Sequence, residues 1–357
     1  MKRIVLVGGG TAGHVEPALA VGRWLLDKRP DLDLSFIGTK SGIEVELLVD
    51  TGIKFNSILK VPFPRKFSIS SLIWPIKFLI GITQSLQAIR GSNLVIGFGG
   101  YVSAPAYVAA WLLRTPLIIH EANAKPGLAN ILGTFFTKNS FVAYPRTLEI
   151  NRRFSKSICS GMPIKSRIDN FDFVQIPRLR QDFLNSLKLP LENRTLLVFG
   201  GSLGAQRLNE AIAPSKNLIL ESNWNLIHVV GGTNKLPENF GNYRAIDYIH
   251  EMELAYAACD FVICRAGAVT CAELAAVGLP ALLVPLPIGN GEQIENARDL
   301  MATGAAQMIA NQDFTSVWVA RNIIEILNNA PARFKGISKR ADEVIGMKAL
   351  ELIRLSK

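Results

Sequence analysis

Ile4-Val5-Leu6-Val7-Gly8-Gly9-Gly10-Thr11-Ala12-Gly13-His14 opens the chain, and Leu196-Leu197-Val198-Phe199-Gly200-Gly201-Ser202-Leu203-Gly204-Ala205 repeats the same device in its middle. Each stretch is a short, unbroken apolar run, as a strand covered on both faces requires, followed by a turn in which Cβ atoms are scarce. At the carboxyl edge of a parallel sheet such a turn opens a helix, and its backbone N–H groups suit a phosphate. Written twice, the signal predicts an α/β protein of two Rossmann-like domains facing one cleft, with a phosphate-bearing reactant on each side. That arrangement points to an enzyme.

The chain has 357 residues, enough for two domains with full cores. Hydrophobic residues make up 49% and charged residues 19%, a balance that excludes disorder for the bulk of the chain. A formal net charge of +10 favours an anionic partner: nucleic acid, an acidic lipid surface or a phosphorylated small molecule. Nucleic acid is the weakest of these, because the basic residues are scattered and neither zinc-finger spacing nor an arginine-rich tail occurs. The first apolar run is too short for a signal peptide and is broken by glycines. No stretch reaches the roughly 18 to 20 apolar residues that span a bilayer. Cys159, Cys259, Cys264 and Cys271 lack paired spacing and read as free thiols, with no metal site and no disulfide framework.

Strands are expected at 3–7, 33–37, 94–98, 116–119 and 140–143, separated by helices at 15–27, 41–50, 71–89, 103–113 and 126–135. The second half gives strands at 195–199, 226–230, 244–246, 260–264 and 281–284, with helices at 206–219, 251–258, 270–276 and 293–302. The segment 160–192 fits neither period and is expected to hold the hinge. The domains therefore read as 1–163 and 164–340, followed by a helix over 341–357; packing back onto the first domain is one arrangement for it, and the sequence does not choose.

His14 ends the first glycine turn at the start of a helix, where an imidazole can take a proton from an attacking hydroxyl or donate to a phosphate. The alternative is a histidine that only caps the turn. Gly8, Gly10 and Gly13 satisfy the dinucleotide spacing, but Gly38-Thr39-Lys40 stands where a ribose-binding acid should follow the second strand, which weighs against NAD. His120-Glu121-Ala122-Asn123 lies just beyond strand 116–119, on the ligand side of the sheet. Gly97-Phe98-Gly99-Gly100-Tyr101-Val102-Ser103 reads as a further anion- or acceptor-binding loop, with Ser103 a candidate cap and Pro105 in the first helical turn. No Gly-Lys-Ser/Thr follows these glycines, so none is a Walker loop.

In the second half, Cys264-Arg265-Ala266-Gly267-Ala268-Val269-Thr270 places small residues after a strand, suited to hold a diphosphate with the Arg265 cation nearby. Glu273, one turn beyond Thr270, can accept both hydroxyls of a ribose or serve as a capping acid. Gln293 and Asn296 share a helical face that can reach a sugar. The lone Asp-x-Asp, Asp31-Leu32-Asp33, enters a strand at the wrong end for a metal clamp.

Between 59 and 82, Lys60, Arg65, Lys66 and Lys77 interleave with Phe63, Phe67, Leu72, Ile73, Trp74, Phe78, Leu79 and Ile80, and no acid interrupts them. Aromatics and lysines of this kind suit a membrane interface; the alternative is a core helix behind a solvated loop. Pro75, Lys77 and the short length oppose a spanning segment.

Taken together these residues resemble the MurG family, bacterial transferases that add N-acetylglucosamine to undecaprenyl-diphospho-N-acetylmuramoyl-pentapeptide, turning lipid I into lipid II. The likeness runs from residue 4 to about 340. The family's Gly-Gly-Thr-x-Gly-His matches Gly9 to His14, and Pro17 continues it. His-Glu-x-Asn matches His120 to Asn123, and Gly-Gly-Ser-x-Gly-Ala matches Gly200 to Ala205. Arg-x-Gly-Ala-x-Thr with the following Glu matches Arg265 to Thr270 and Glu273, and Gln-x-x-Asn-Ala matches Gln293 to Ala297. The resemblance implies a GT-B glycosyltransferase fold, with the lipid acceptor on the first domain and UDP-N-acetylglucosamine on the second.

It further implies the acceptor diphosphate at the loops of Gly10, Thr11, Ala12, Gly13 and His14 and of Gly99, Gly100, Tyr101 and Ser103. Uracil would lie near Ile249, the nucleotide diphosphate near Ser202, Gly204 and Ala268 to Thr270, ribose at Glu273 and the sugar at Gln293. The patch at 60–82 would bind the anionic cytoplasmic face of the bacterial plasma membrane, with other cell-wall synthesis proteins as candidate partners. Two departures stand out. Lys165 replaces the family's uracil-holding arginine and lacks its planar fork, and Glu292 replaces a histidine before Gln293.

The implied reaction is displacement at the anomeric carbon by the muramoyl C4 hydroxyl, with inversion, without cofactor or metal. His14 would be the general base, Glu121 and Asn123 would orient the acceptor, and helix N-termini would stabilise the leaving UDP. The rivals are a glycosyltransferase of the same architecture acting on diacylglycerol or another lipid, and a UDP-N-acetylglucosamine 2-epimerase. A binding protein would not need polar clusters at so many strand ends.

Overall fold

The computed structural model describes residues 2–49, 51–64, 69–201, 205–232, 234–287 and 291–355. It divides into two compact units, Met1–Lys165 with Lys339–Lys357, and Ser166–Ser338.

The first unit holds a seven-stranded sheet: β1 (Arg3–Val7), β2 (Asp33–Gly38), β3 (Lys54–Ser57), β4 (Leu94–Gly97), β5 (Leu117–Glu121), β6 (Asn139–Val142) and β7 (Ile158–Cys159). Every pairing is parallel, in the order β3-β2-β1-β4-β5-β6-β7. The chain leaves β1 for β2 on one side and returns to β4 on the other. The loops after β1 and β4 therefore lie at the reversal of strand order, where open α/β sheets bind ligands.

The apolar run of β1 is unbroken because both faces are covered. Ile4 and Leu6 pack with Val15, Leu19 and Leu25 of the helix Ala12–Lys28, while Val5 and Val7 pack with Val102, Ala106 and Tyr107 on the opposite face. Ile345, Ala349 and Ile353 of the final helix, Ala341–Leu355, join the first of these clusters. Gly346 lets that helix close on Ala12–Lys28, since a Cβ there would lie 2.2 Å from Cε3 of Trp24.

The second unit holds β8 (Arg194–Phe199), β9 (Trp224–Val229), β10 (Tyr243–Ile246), β11 (Phe261–Cys264), β12 (Ala281–Leu283) and β13 (Ala306–Met308). Their order is β10-β9-β8-β11-β12-β13, again all parallel. The reversal falls between β8 and β11, the two strands followed by the second glycine turn and the Arg265 loop. Leu196 and Val198 pack with Leu208, Ile212, Phe314, Val319, Ile323 and Leu327.

Several expectations are corrected. The helix expected over 206–219 is broken into Gln206–Ile212, a 3-10 turn Ala213–Ser215 and Lys216–Glu221, because Pro214 has no N–H to continue the ladder. The segment 160–192 contains a regular helix, Ile176–Ser186, with Pro177 in its first turn. The helix Ser316–Asn328, capped by Thr315 Oγ1 accepting from Trp318 N at 3.1 Å, was not expected, nor were β3, β7 and β13. Strand β5 runs through His120 and Glu121 rather than ending before them.

Candidate active site

In the first unit two glycine turns abut. Gly10, Gly99 and Gly100 have φ of +96°, +89° and +85°, a region that side chains with a Cβ rarely adopt. A Cβ on Gly100 would lie 2.1 Å from the Gly9 carbonyl oxygen, and one on Gly10 would lie 2.6 Å from Cε1 of Tyr101. The loops after β1 and β4 thus meet backbone to backbone, with the Tyr101 ring on Gly10. Thr11 takes the extended conformation of an N-cap without a side-chain capping bond, and the first turn of Ala12–Lys28 carries no acid. A helix start of this kind suits an anion.

His14 stands half-buried in that first turn, and a Cβ on Gly99 would lie 3.3 Å from its Cε1. The imidazole therefore rests on the second turn while projecting from the first. Ser103 is buried and caps nothing: its hydroxyl donates to Gly99 O at 2.7 Å, holding the second turn closed.

Behind these turns lies a buried acid that sequence reasoning missed. Glu44 is fully buried, and its Oε1 accepts from Thr39 N at 2.6 Å and Thr39 Oγ1 at 3.0 Å. The Thr39 hydroxyl lies 3.4 Å from Tyr101 Oη, and the Lys60 ammonium sits 5.3 Å from the centre of the Tyr101 ring. Gly9, Gly38 and Gly42 all crowd this carboxylate, where Cβ atoms would lie 3.0 Å, 2.9 Å and 2.3 Å from Oε1. Gly38-Thr39, where a ribose-binding acid would stand in a dinucleotide fold, instead ties Glu44 to Tyr101 and so to the turn at Gly10.

His120 and Glu121 are corrected from ligand-facing groups to buried supports. Nε2 of His120 donates to Gly161 O at 2.9 Å, and burial, its largest perturbation, lowers the imidazole pKa to about 4. Glu121 Oε1 accepts from Asn123 N at 2.9 Å, and Oε2 from Gly127 N at 3.0 Å and Asn130 Nδ2 at 2.9 Å. Burial raises its pKa, against the opposing effect of these donors. The carboxylate thereby shapes the loop that presents the half-buried Asn123. Asn130 is itself fixed by the buried Tyr107, whose hydroxyl donates to Asn130 Oδ1 at 2.7 Å.

Lys165, expected with the donor contacts, belongs to the first unit, and its ammonium meets Glu16 Oε1 at 3.4 Å, two residues along the helix from His14.

In the second unit, Ser202 and Gly204 lie outside the described residues. The helix Ala268–Val277 begins behind Gly267, has no side-chain cap and no acid in its first turn, and presents half-buried Val269 and Thr270. Ala268 and Ile249 are buried. Arg265 is not a loose cation: its Nη1 donates to Val284 O at 2.9 Å and Asn311 Oδ1 at 2.6 Å, tying the segments after β11, β12 and β13 together. Glu273 Oε2 accepts from the Tyr256 hydroxyl at 2.8 Å. Gln293 Oε1 accepts from Leu286 N at 2.8 Å, pinning the loop after β12, while Asn296, 1% exposed, lies beneath the surface.

The apolar patch is open to solvent. Phe63, Leu72, Ile73, Ile76 and Leu79 are exposed, as is Lys77, while Trp74 stacks on Phe78 at 4.9 Å and meets Phe63 edge-on at 5.4 Å. Arg65, Lys66 and Phe67 lie outside the described residues. The helix Ile69–Ile89 packs against Ser103–Leu112, whose end exposes Trp111, Leu112 and, just beyond, Leu113; the sequence reading had not included these three.

Two Rossmann-like units, each an all-parallel sheet whose strand order reverses at the ligand edge, and the family matches that follow place this chain in the GT-B class of glycosyltransferases. Residues 4–142 match the glycosyltransferase family 28 N-terminal domain, and residues 195–349 match the family 28 C-terminal domain. The UDP-N-acetylglucosamine--N-acetylmuramyl-(pentapeptide) pyrophosphoryl-undecaprenol N-acetylglucosamine transferase of Thermobifida fusca (strain YX) is 41% identical over 335 residues, 92% of this chain and 86% of the relative. The transferase of the same description from Streptomyces coelicolor is 39% identical over 348 residues, 95% of this chain and 93% of the relative. The crystal structure of Acinetobacter baumannii MurG aligns with a TM-score of 0.68 at 26% identity, covering 100% of this chain and 99% of that one. The chain belongs to the MurG family of N-acetylglucosaminyltransferases.

Proposed function

We propose that this protein transfers N-acetylglucosamine from UDP-N-acetylglucosamine to the C4 hydroxyl of the muramoyl-pentapeptide carried on undecaprenyl diphosphate, completing lipid II for peptidoglycan. The observation that carries this reading is a family match that extends through both units. The acceptor diphosphate lies on the abutting turns of Gly10 to Gly13 and Gly99 to Tyr101. Their backbone N–H groups and the uncapped start of Ala12–Lys28 suit it.

His14, held against Gly99, takes the proton of the attacking hydroxyl, and Asn123 orients the acceptor from a loop shaped by Glu121. As the glycosidic bond to UDP breaks, charge grows on the leaving diphosphate, which the N-terminus of Ala268–Val277 stabilises. Glu273 holds the ribose and Gln293 the sugar, with Ile249 beside the base.

The surface of Phe63, Leu72, Ile73, Ile76, Leu79 and Trp111 to Leu113 supports attachment to an anionic membrane face, where the lipid-linked acceptor resides. Contrary to the expectation of a segment too short to span, Leu72–Ile89 is long and apolar enough by length and composition to cross a bilayer, and only 22% of it is buried, which argues against a core helix. Localisation at the cytoplasmic face of the plasma membrane follows from this proposal.

The test supplies purified protein with UDP-N-acetylglucosamine, with and without a soluble lipid I analogue. UDP and a β-1,4 disaccharide should form only with the analogue. Formation of the manno sugar without acceptor would make the protein an epimerase instead, and transfer to diacylglycerol alone would assign a different acceptor.

A further inference from the structure

Tyr256 has no part in the chemistry above, yet it is fully buried and donates its hydroxyl to Glu273 at 2.8 Å. It sits on the helix Met252–Ala258, and Glu273 on the helix Ala268–Val277. These helices are joined at their ends by Arg333. Its Nη2 donates to Tyr256 O at 2.6 Å and Cys259 O at 2.9 Å, and its Nη1 to Val277 O at 2.8 Å. On its other side the Tyr256 ring lies 6.3 Å from that of Phe199, the last residue of β8 before the second glycine turn.

We propose that Tyr256 is a positioning residue that fixes the Glu273 carboxylate for recognition of the donor's ribose hydroxyls. The inference rests on the reading of Glu273 as the ribose-binding acid. An ionised carboxylate has about four lone-pair sites, so one phenol O–H leaves capacity for a vicinal diol. A carboxylate held in place before binding loses less side-chain entropy when the ligand arrives, and the Tyr256 bond contributes to that hold. Burial and the neighbouring carboxylate both raise the Tyr256 pKa, so the hydroxyl keeps its proton and remains the donor. Arg333 holds the backbone carbonyls of both helices, so the distance between the pair is set independently of the hydrogen bond itself.

A bond that merely joined two helices would affect stability alone. Ribose positioning makes a different demand: preference for UDP-N-acetylglucosamine over its 2′-deoxyribose analogue should depend on Tyr256. Tyr256→Phe removes one oxygen and keeps the ring. Its KM for UDP-N-acetylglucosamine should rise roughly tenfold with kcat within about twofold, and the preference over the deoxy analogue should shrink by a similar factor. Glu273→Gln is measured beside it. If Glu273→Gln loses the preference and Tyr256→Phe keeps it, the positioning role is overturned while the ribose assignment stands. If both variants keep the preference, the ribose assignment falls and takes the proposal with it.

A second measurement does not depend on the stability of Tyr256→Phe. With 3-fluorotyrosine at position 256, the fluorine resonance should move on addition of UDP and stay in place with 2′,3′-dideoxy-UDP. Equal movement with both nucleotides would overturn the proposal.

Discussion

The Glu44 carboxylate accepts two hydrogen bonds from one residue, Thr39, at 2.6 Å from its backbone N–H and 3.0 Å from its hydroxyl. Through Thr39 this buried acid reaches Tyr101, and through Tyr101 the turn at Gly10. The turn at Gly10 is thus braced from beneath by a buried carboxyl group.

Removing that brace should weaken both fold and acceptor binding. Glu44→Ala leaves the Thr39 N–H buried without its acceptor, costing about 1 to 3 kcal/mol. Urea unfolding should register the loss, and KM for the lipid I analogue should rise more than KM for the nucleotide sugar. Glu44→Gln keeps an accepting oxygen and should recover most of both.

His14 rests on Gly99 between the two turns, and the proposed mechanism makes it the general base. His14→Ala should lower kcat by roughly 10² to 10⁴, the usual contribution of a positioned general base. UDP binding, followed by calorimetry, should be unchanged. An unaltered kcat would remove His14 from the base role.

Two histidines should make the fold sensitive to acid. Burial lowers the pKa of both His120 and His228 to about 4, from an ordinary value of 6.5. Between these values the unfolded chain binds a proton that the folded form does not. Each histidine's contribution is therefore intact above about pH 6.5 and is lost as pH falls toward 4, by up to about 1.4 kcal/mol per pH unit. Urea midpoints across this window should show the decline, and His120→Gln, which keeps a donor toward Gly161, should remove the His120 share and leave that of His228.

Leu72 and Leu79 are 79% and 61% exposed, so charging them should spare the fold. If their face enters the lipid interface, each buries an apolar side chain worth about 1.5 to 3 kcal/mol. Leu72→Glu with Leu79→Glu should weaken binding to anionic vesicles by more than tenfold in sedimentation. Activity on a soluble acceptor should be retained.

The glycine turns were legible because positive φ at Gly10, Gly99 and Gly100 restricts the residue type and leaves a mark in the sequence. The core strands were legible because burial on both faces demands continuous apolar runs. Edge strands β3, β7 and β13, of four, two and three residues, are too short to show a period. The helix Ser316–Asn328 did carry a signal, with Val319, Ile323 and Leu327 at four-residue spacing behind the Thr315 cap, and it went unread. The supporting residues were hidden for another reason. Glu44 is defined by Gly9 and, through Thr39, by Tyr101, and Tyr256 by Glu273 and Arg333, contacts that only the tertiary fold creates. Glu121 and Ser103 were noticed as polar groups beside a ligand edge, but a sequence does not show whether such a group faces the ligand or the loop that holds it.

The assignment of each reactant to its own unit can be tested by amide hydrogen exchange on the full protein. UDP should protect amides in 265–273 and leave 8–14 unchanged, while the lipid I analogue should protect 8–14 and 98–103. Protection of 8–14 by UDP alone would contradict the account.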